Sequence, residues 1–302
     1  MIPALSLDIP NLIIIIVAIL HAALGLAILL QGASRRENLI FAILELNLVA
    51  WSISMVFYRS SPGPEIVFWV KALYLSALLI PYSFIYFVYS FPYKELNKWP
   101  RWLHALILLP LLFLILAILG NKLILGVGPA KPEPIIYFNK TFEYLYVLYI
   151  VGYFSWSYLR LGHLYLISSG VVKTQIRYVL VGTLVSTLAA TPPNLFLPLF
   201  GIFALNWLGQ VVIIIMAITI AYAISRHNLL NIKVIATEIF SGLIILILLG
   251  ELLLTESVTE FLGRLFVLTL IIIFSYFLIR SVFQEIRLRE EIEHLADNLK
   301  KA

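Results

Sequence analysis

The sequence predicts an all-α fold: a polytopic membrane helical bundle of about nine transmembrane helices, followed by a cytoplasmic coiled-coil-like helix. Three observations predict it. Of the 302 residues, 62% are hydrophobic and 12% charged, with a mean hydropathy of +1.01, whereas soluble domains carry roughly 25% charged residues. The apolar residues also come in long runs. A hydrocarbon core about 30 Å thick takes roughly 20 helical residues to cross, because every backbone polar group must be bonded within its own segment. Finally, composition breaks once, near Arg280, after which nine of the last 22 residues are charged.

Read between turn signals, the runs are residues 11–31, 39–58, 66–91, 102–119, 142–162, 178–198, 207–224, 234–254 and 262–280. The first is a retained anchor and not a cleaved signal: "MIPALSLDIP" places no basic residue before it, and the apolar stretch is too long for a signal core. Pro192 and Pro193 interrupt the sixth run, and the ninth is short. With the N-terminus outside, the inner segments hold 15 of the 21 Lys and Arg residues, including Arg35, Arg36, Lys94, Lys98, Arg177, Arg226 and five from Arg280 onward. Arg59, Lys71, Lys122, Lys131, Lys140 and Arg264 fall on the outer side. Basic residues favour cytoplasmic loops, so the C-terminus is expected inside. In such a chain a net charge of +5 marks loops and does not imply nucleic acid.

Enzyme signatures are nearly absent. There is no P-loop, GxGxxG, GxSxG or HExxH, and the five histidines are scattered. With no cysteine, thiolate metal sites, disulfides and cysteine nucleophiles are excluded. The seventh run carries no lysine, which removes a retinal-binding reading.

Polar groups inside the runs carry more information, because a charge near the bilayer centre costs about 2.5–3.5 kcal/mol and usually faces the bundle interior. Glu45, with His21 and Asn47, forms either an interior polar site or a packing contact between the first two helices. Lys71 lies within about two turns of the outer surface, where its stem can snorkel. Glu238 and Glu251 read as interfacial. Tyr146, Tyr149 and Tyr153 recur at i, i+3 and i+7 and share a helix face. At similar depth lie Asn194, after the Pro-Pro break, and Asn206, Trp207 and Gln210. Together with Lys71, Trp69 and Glu143 these residues either line an outward-facing pocket or serve helix packing and interfacial anchoring.

In the tail, Leu288, Ile292, Leu295 and Leu299 are spaced 4, 3, 4, the pattern of a dimeric coiled-coil seam, with oppositely charged i, i+4 pairs such as Glu285 and Arg289 beside it. An amphipathic helix lying on the membrane is the alternative, although such helices favour Lys and Arg over mixed charge on their polar face.

Four stretches, "RRENLIFAILELNLVAWSISMVFY", "FWVKALYLSALLIPYSFIYFVYSFP", "VVKTQIRYVLVGTLV" and "AYAISRHNLLNI", make residues 12–232 resemble the N-terminal seven-helix membrane region of bacterial sensor histidine kinases. The resemblance implies a homodimer in the bacterial inner membrane. Its signal would pass through a helical linker to a dimerisation and phosphoacceptor domain and an ATP-binding domain. ATP, Mg and the response regulator would belong to that kinase module, so no cofactor is expected in this chain. The implied organisation is a sensor region (1–232), an additional two-helix hairpin (233–280) and the start of a dimeric signalling helix (281–302). Two features depart from the family: the extra hairpin after "NLLNI", and a chain that ends before any phosphoacceptor box. "EIEHLADNLKKA" lacks the family's His, acidic residue, Leu or Ile, Arg, Thr or Ser, Pro order, so His294 reads as a linker residue.

A small transporter or permease is the rival reading, but it predicts inverted repeats and paired broken helices, and the sequence shows one Pro-Pro break. A membrane-integral transferase is weaker still, because the positive-inside rule accounts for Arg226 in "SRHNLLN". The expected orientation has a direct check. A fluorescent protein fused after Ala302 should fluoresce, and alkaline phosphatase fused after Gly128 should be active; the reverse pattern would invert the topology.

Overall fold

The computed structural model describes residues 8–30, 36–93, 99–128, 133–225 and 258–301, with single positions at 241, 245, 248 and 252; from residue 285 onward only the backbone is described. The chain forms two units, Met1–Ile224 and Ser225–Ala302. The first contains α1 (Ile9–Leu30), α2 (Arg36–Ser60), α3 (Ile66–Ser90), α4 (Arg101–Leu119), α5 (Lys140–Ile167) and α6 (Gly170–Thr191). A π-helical turn (Pro192–Phe196), α7 (Leu197–Leu199), α8 (Leu208–Val212) and α9 (Ile214–Ser225) complete it. The second unit contains α10 (Val258–Lys301).

The fold is an all-α polytopic bundle, as expected. Eight of the nine apolar runs fall on these helices. The run 234–254, with Glu238 and Glu251, lies outside the described residues apart from the four single positions, as does the loop "SRHNLLN" beyond Ser225. Among the described residues six helical stretches are long and apolar enough to cross a membrane: Ile9–Leu30, Arg36–Ser60, Ile66–Ser90, Arg101–Leu119, Gly170–Leu199 and Glu260–Leu278. The expected nine is therefore not reached on those criteria. With 28 residues α5 is long enough, but its tyrosines, Arg160 and His163 dilute its apolar character.

Local chemistry sets the helix ends. The Asp8 carboxylate accepts from the Asn11 backbone N–H at 2.9 Å, capping α1. Asn139 caps α5 through Thr141 at 3.1 Å. After the π turn, Gly201 adopts φ 76°, Ile202 N–H donates to the Leu197 carbonyl and Gly201 N–H donates to that of Pro198. This is a Schellman stop, and its left-handed residue favours glycine.

Neighbours in sequence pack as antiparallel pairs, α1 on α2 and α2 on α3. Beyond them α3 meets α5, α5 meets α6, and α6 meets α8, which returns to α1 and α2. A ring results, with α4 on its outside against α3 and α5. Burial agrees: 61% of the apolar window of α3 is buried, against 28% for α4. The ring closes tightly at Gly182, where a Cβ would lie 2.3 Å from the Thr219 side chain on α9.

A two-stranded hairpin, β1 (Ile124–Gly128) against β2 (Ile135–Phe138), joins α4 to α5 and is absent from the sequence reading. An isolated hairpin is marginal in water, and this one is fastened to the bundle. The Tyr58 hydroxyl donates to the Pro134 carbonyl, and the Phe138 ring lies 5.2 Å from that of Tyr74. Arg59, whose side chain is 7% exposed, pairs with Glu133, with Asp8 at 2.9 Å and with Asn11 at 2.8 Å. One guanidinium thus ties the hairpin and the start of α1 to the end of α2. Its geometry suits it, since a fork of five N–H donors can serve three acceptors at once.

Crowding at Gly182 gives a measurable expectation. Gly182→Ala should lower stability in detergent unfolding by about 1–3 kcal/mol through overpacking. Gly152→Ala, where nothing lies within 4 Å of the added Cβ, should cause no such loss.

Candidate functional site

A cavity of about 90 Å³ opens inside the ring among α2, α3, α5, α6, the π turn and α8. Trp51 and Met55 contribute from α2, Tyr74 and Ala77 from α3, and Tyr146 and Phe154 from α5. Thr187, Thr191, Asn194 and Asn206 supply polar atoms from α6 and the segment after it. Counted along α2, α3 and α5, its lining residues lie about 8–21 Å from the helix ends that carry the hairpin, at 1.5 Å per residue. None of the 16 lining residues is charged.

Two proline sites lie beside lining residues of this cavity. Pro81 in α3 has no N–H, so the carbonyl of Ala77, a lining residue, loses its intrahelical donor. Pro192 and Pro193 do the same to Leu188 and Ala189, and the helix widens into the π turn. Side chains bond the carbonyls on either side of these two. Asn194 Nδ2 donates to the Ala190 carbonyl at 3.1 Å, and Thr191 Oγ1 donates to that of Thr187 at 2.6 Å. Gly209 leaves room for this amide, since a Cβ there would come within 1.4 Å of Asn194 Nδ2.

The residues expected to form one outward pocket separate into groups. Tyr146, Asn194 and Asn206 line the cavity. Tyr149 is buried beside it, but its hydroxyl donates to the Leu78 carbonyl at 3.1 Å, and Tyr153 donates to Ile107 at 2.6 Å. That i, i+3, i+7 face is therefore a seam against α3 and α4. Trp69 stacks on Phe57 at 4.2 Å, and Lys71 reaches the Leu119 carbonyl at the end of α4, 3.3 Å away, where a cation meets the negative helix terminus. Glu143 pairs with Lys140 at 2.8 Å, while Lys140 also donates to the Leu199 carbonyl. Trp207 is half-buried and Gln210 fully buried, and neither lines the cavity.

The interior polar set also divides. His21 and Glu45 share a 2.7 Å hydrogen bond between α1 and α2, with side chains 0% and 1% exposed. Their other polar atoms, His21 Nε2 and Glu45 Oε1, have no partner among the described residues. Glu45 fits because Gly25 faces it, with an added Cβ only 2.8 Å from Glu45 Cβ. Asn47, two residues on, turns to α3 and donates to Ser83 Oγ at 2.7 Å. Positions i and i+2 do not share a helix face, which explains the split.

Sequence reasoning missed Trp51, Tyr74, Ala77, Thr187 and Thr191. The available signals were Pro81 inside an apolar run and the i, i+4 threonines just before the Pro-Pro pair. It also missed an aromatic cluster between α3, α4 and α5, in which the Tyr86 hydroxyl meets His104 Nδ1 at 2.9 Å and Trp156 donates to the Tyr89 hydroxyl at 3.0 Å. Among the described residues no three His, Asp or Glu side chains are grouped to hold a metal ion. The seam residues Leu288, Ile292, Leu295 and Leu299 and His294 lie on the backbone of α10, and their side chains lie outside the described residues.

Seven helical segments span this unit: α1 to α5, α6 with its π turn and α7, and α8 with α9. A family model described as the N-terminal 7TM region of histidine kinase matches residues 13–233. The chain belongs to that family. No curated protein and no solved structure matches it. Within this histidine-kinase membrane region, both the cavity and the His21–Glu45 pair fall inside the matched residues.

The buried pair sets a stability expectation. His21→Leu should cost about 3–5 kcal/mol by stranding Glu45, whereas the double variant His21→Leu with Glu45→Met should regain most of it. Reversible unfolding in mixed micelles reads both. Equal losses in the single and double variants would mean that the two groups do not depend on each other.

Proposed function

We propose that this chain is the sensory membrane part of a two-component histidine kinase. A stimulus received by the helical ring would bias the arrangement of the C-terminal helix and so control a kinase module outside residues 1–302. Membership of the family supports the sensor role. The relay rests on one observation: α10 runs unbroken for 44 residues from Val258 to Lys301. At 1.5 Å per residue it is about 66 Å long, roughly twice the hydrocarbon thickness. Its apolar stretch, Glu260–Leu278, accounts for 19 of those residues, and the polar remainder carries the 4, 3, 4 seam.

In this reading the protein is a homodimer in the bacterial cytoplasmic membrane, with its N-terminus outside and α10 ending in the cytoplasm. ATP and Mg bind the kinase module, which passes phosphate to a response regulator. Coupling of about 1–3 kcal/mol between signal and helix arrangement is enough to shift the output five- to 150-fold.

Because the chain has no cysteine of its own, single cysteines report cleanly. Leu288→Cys and Leu295→Cys should form disulfide-linked dimers in membranes, and Glu290→Cys, off the seam, should cross-link far less. Absence of cross-linking at all three positions would sink the dimeric relay. The broken α6 is the feature that would suit a permease; uptake of labelled solute by reconstituted protein would favour that reading instead.

A further inference from the structure

We infer that the cavity is a binding site for a small uncharged amphiphile, a molecule with a compact apolar body and a single hydroxyl or N–H group. The inference deepens the sensor reading and rests on it for the site's role as signal input, though binding itself can be measured without any kinase.

Four observations define the occupant. No lining residue is charged, so an ion would lose its hydration without finding a counter-charge. The walls are mainly apolar, with Trp51, Met55, Leu73 and Phe154 among them, so the body of the ligand is apolar. The polar complement is small and specific. Polar groups enter the lining through the hydroxyls of Tyr74, Tyr146, Thr187 and Thr191 and the amides of Asn194 and Asn206. Beside them, Pro81 denies the Ala77 carbonyl its helical donor. An O–H or N–H group can donate to Asn194 Oδ1 or to that carbonyl, and a hydroxyl can also accept from Tyr74. A bare hydrocarbon, such as a lipid chain, can bond to none of them. Size gives the fourth limit: about 90 Å³ holds roughly six to nine water-sized groups at 10–15 Å³ each, the scale of a phenyl ring with one substituent.

The site also has a route to the rest of the bundle. Asn194 is held by the Ala190 carbonyl and sits against Gly209 at the start of α8, so an occupant that draws on its amide acts where α6 is already opened and α8 begins. A ring relay on the other wall, Tyr146 to Tyr74 at 5.2 Å and Tyr74 to Phe138 at 5.2 Å, joins the cavity to the hairpin.

The test uses the whole chain in lipid nanodiscs with 4-bromobenzyl alcohol, whose bromine quenches nearby tryptophan. Saturable quenching is expected, with the saturable part lost in Trp51→Phe. Benzyl alcohol should compete, toluene should compete at least about tenfold less well, and benzoate should not compete. Ala77→Phe should fill the space and abolish saturation. If that variant does not fold, Ala190→Leu provides the same test from α6, and Asn194→Leu should erase the preference for the alcohol over toluene. Quenching that rises linearly and equally in the filled variants would show simple partition into the bilayer and overturn the site. Equal competition by toluene would make it an apolar void open to acyl chains, and competition by benzoate would make it an anion site; either overturns the assignment. Saturable binding without any change in phosphorylation of an attached kinase would leave the site standing and remove the sensor reading.

Discussion

In a hydrocarbon layer no water is at hand to take an unused carbonyl or N–H, so each backbone polar group must find its partner within the protein. The bundle can be understood from where that demand is met and where it is relaxed. Along most of α1, α2 and α5 the helix meets it alone. In α3 and α6 proline removes the donors of the Ala77, Leu188 and Ala189 carbonyls, and beside the break in α6 side chains bond neighbouring carbonyls: Asn194 that of Ala190 and Thr191 that of Thr187. Three tyrosine hydroxyls of α5, those of Tyr146, Tyr149 and Tyr153, add donors to carbonyls of α3 and α4. The cavity lies beside both breaks, with Ala77, Ala190, Thr191 and Asn194 in its lining.

The same constraint explains the buried polar pairs. His21 and Glu45 are held between α1 and α2 by the one hydrogen bond they share, and Gly25 gives Glu45 the room to make it. Replacing water by a partner is an all-or-nothing arrangement at such a site, since half a pair in hydrocarbon costs more than none. Lys71 shows the gentler solution. Near the start of α3 its ammonium reaches the terminal carbonyl of α4, so the stem stays in apolar surroundings while the charge meets a helix end.

Much of this was legible from the residues. Apolar run length gave eight of the helices, and the double proline gave the break in α6, because both signals are local. The tyrosine spacing correctly assigned a buried face, but not what the face touched, since Leu78 and Ile107 are more than 40 residues away in sequence. For the same reason Trp69, Lys71 and Glu143 seemed to belong with Asn194. They share a depth with it, yet depth fixes only one coordinate, and rotation about each helix axis fixes the other. The hairpin escaped notice because five residues such as Ile124–Gly128, with two glycines, carry almost no strand signal; it exists through anchoring at Tyr58, Arg59 and Tyr74.

Arg59 has a further consequence for how the molecule is made. Its partners lie on both sides of it in sequence: Asp8 and Asn11 are synthesised before it, whereas Glu133 follows 74 residues later. Once the first helical pair has been made, Asp8 is already available to neutralise this guanidinium. Glu133 joins only when α3 and α4 have been threaded. The knot at this end of the bundle thus joins three stretches of chain that are made at different times, the start of α1, the end of α2 and the hairpin.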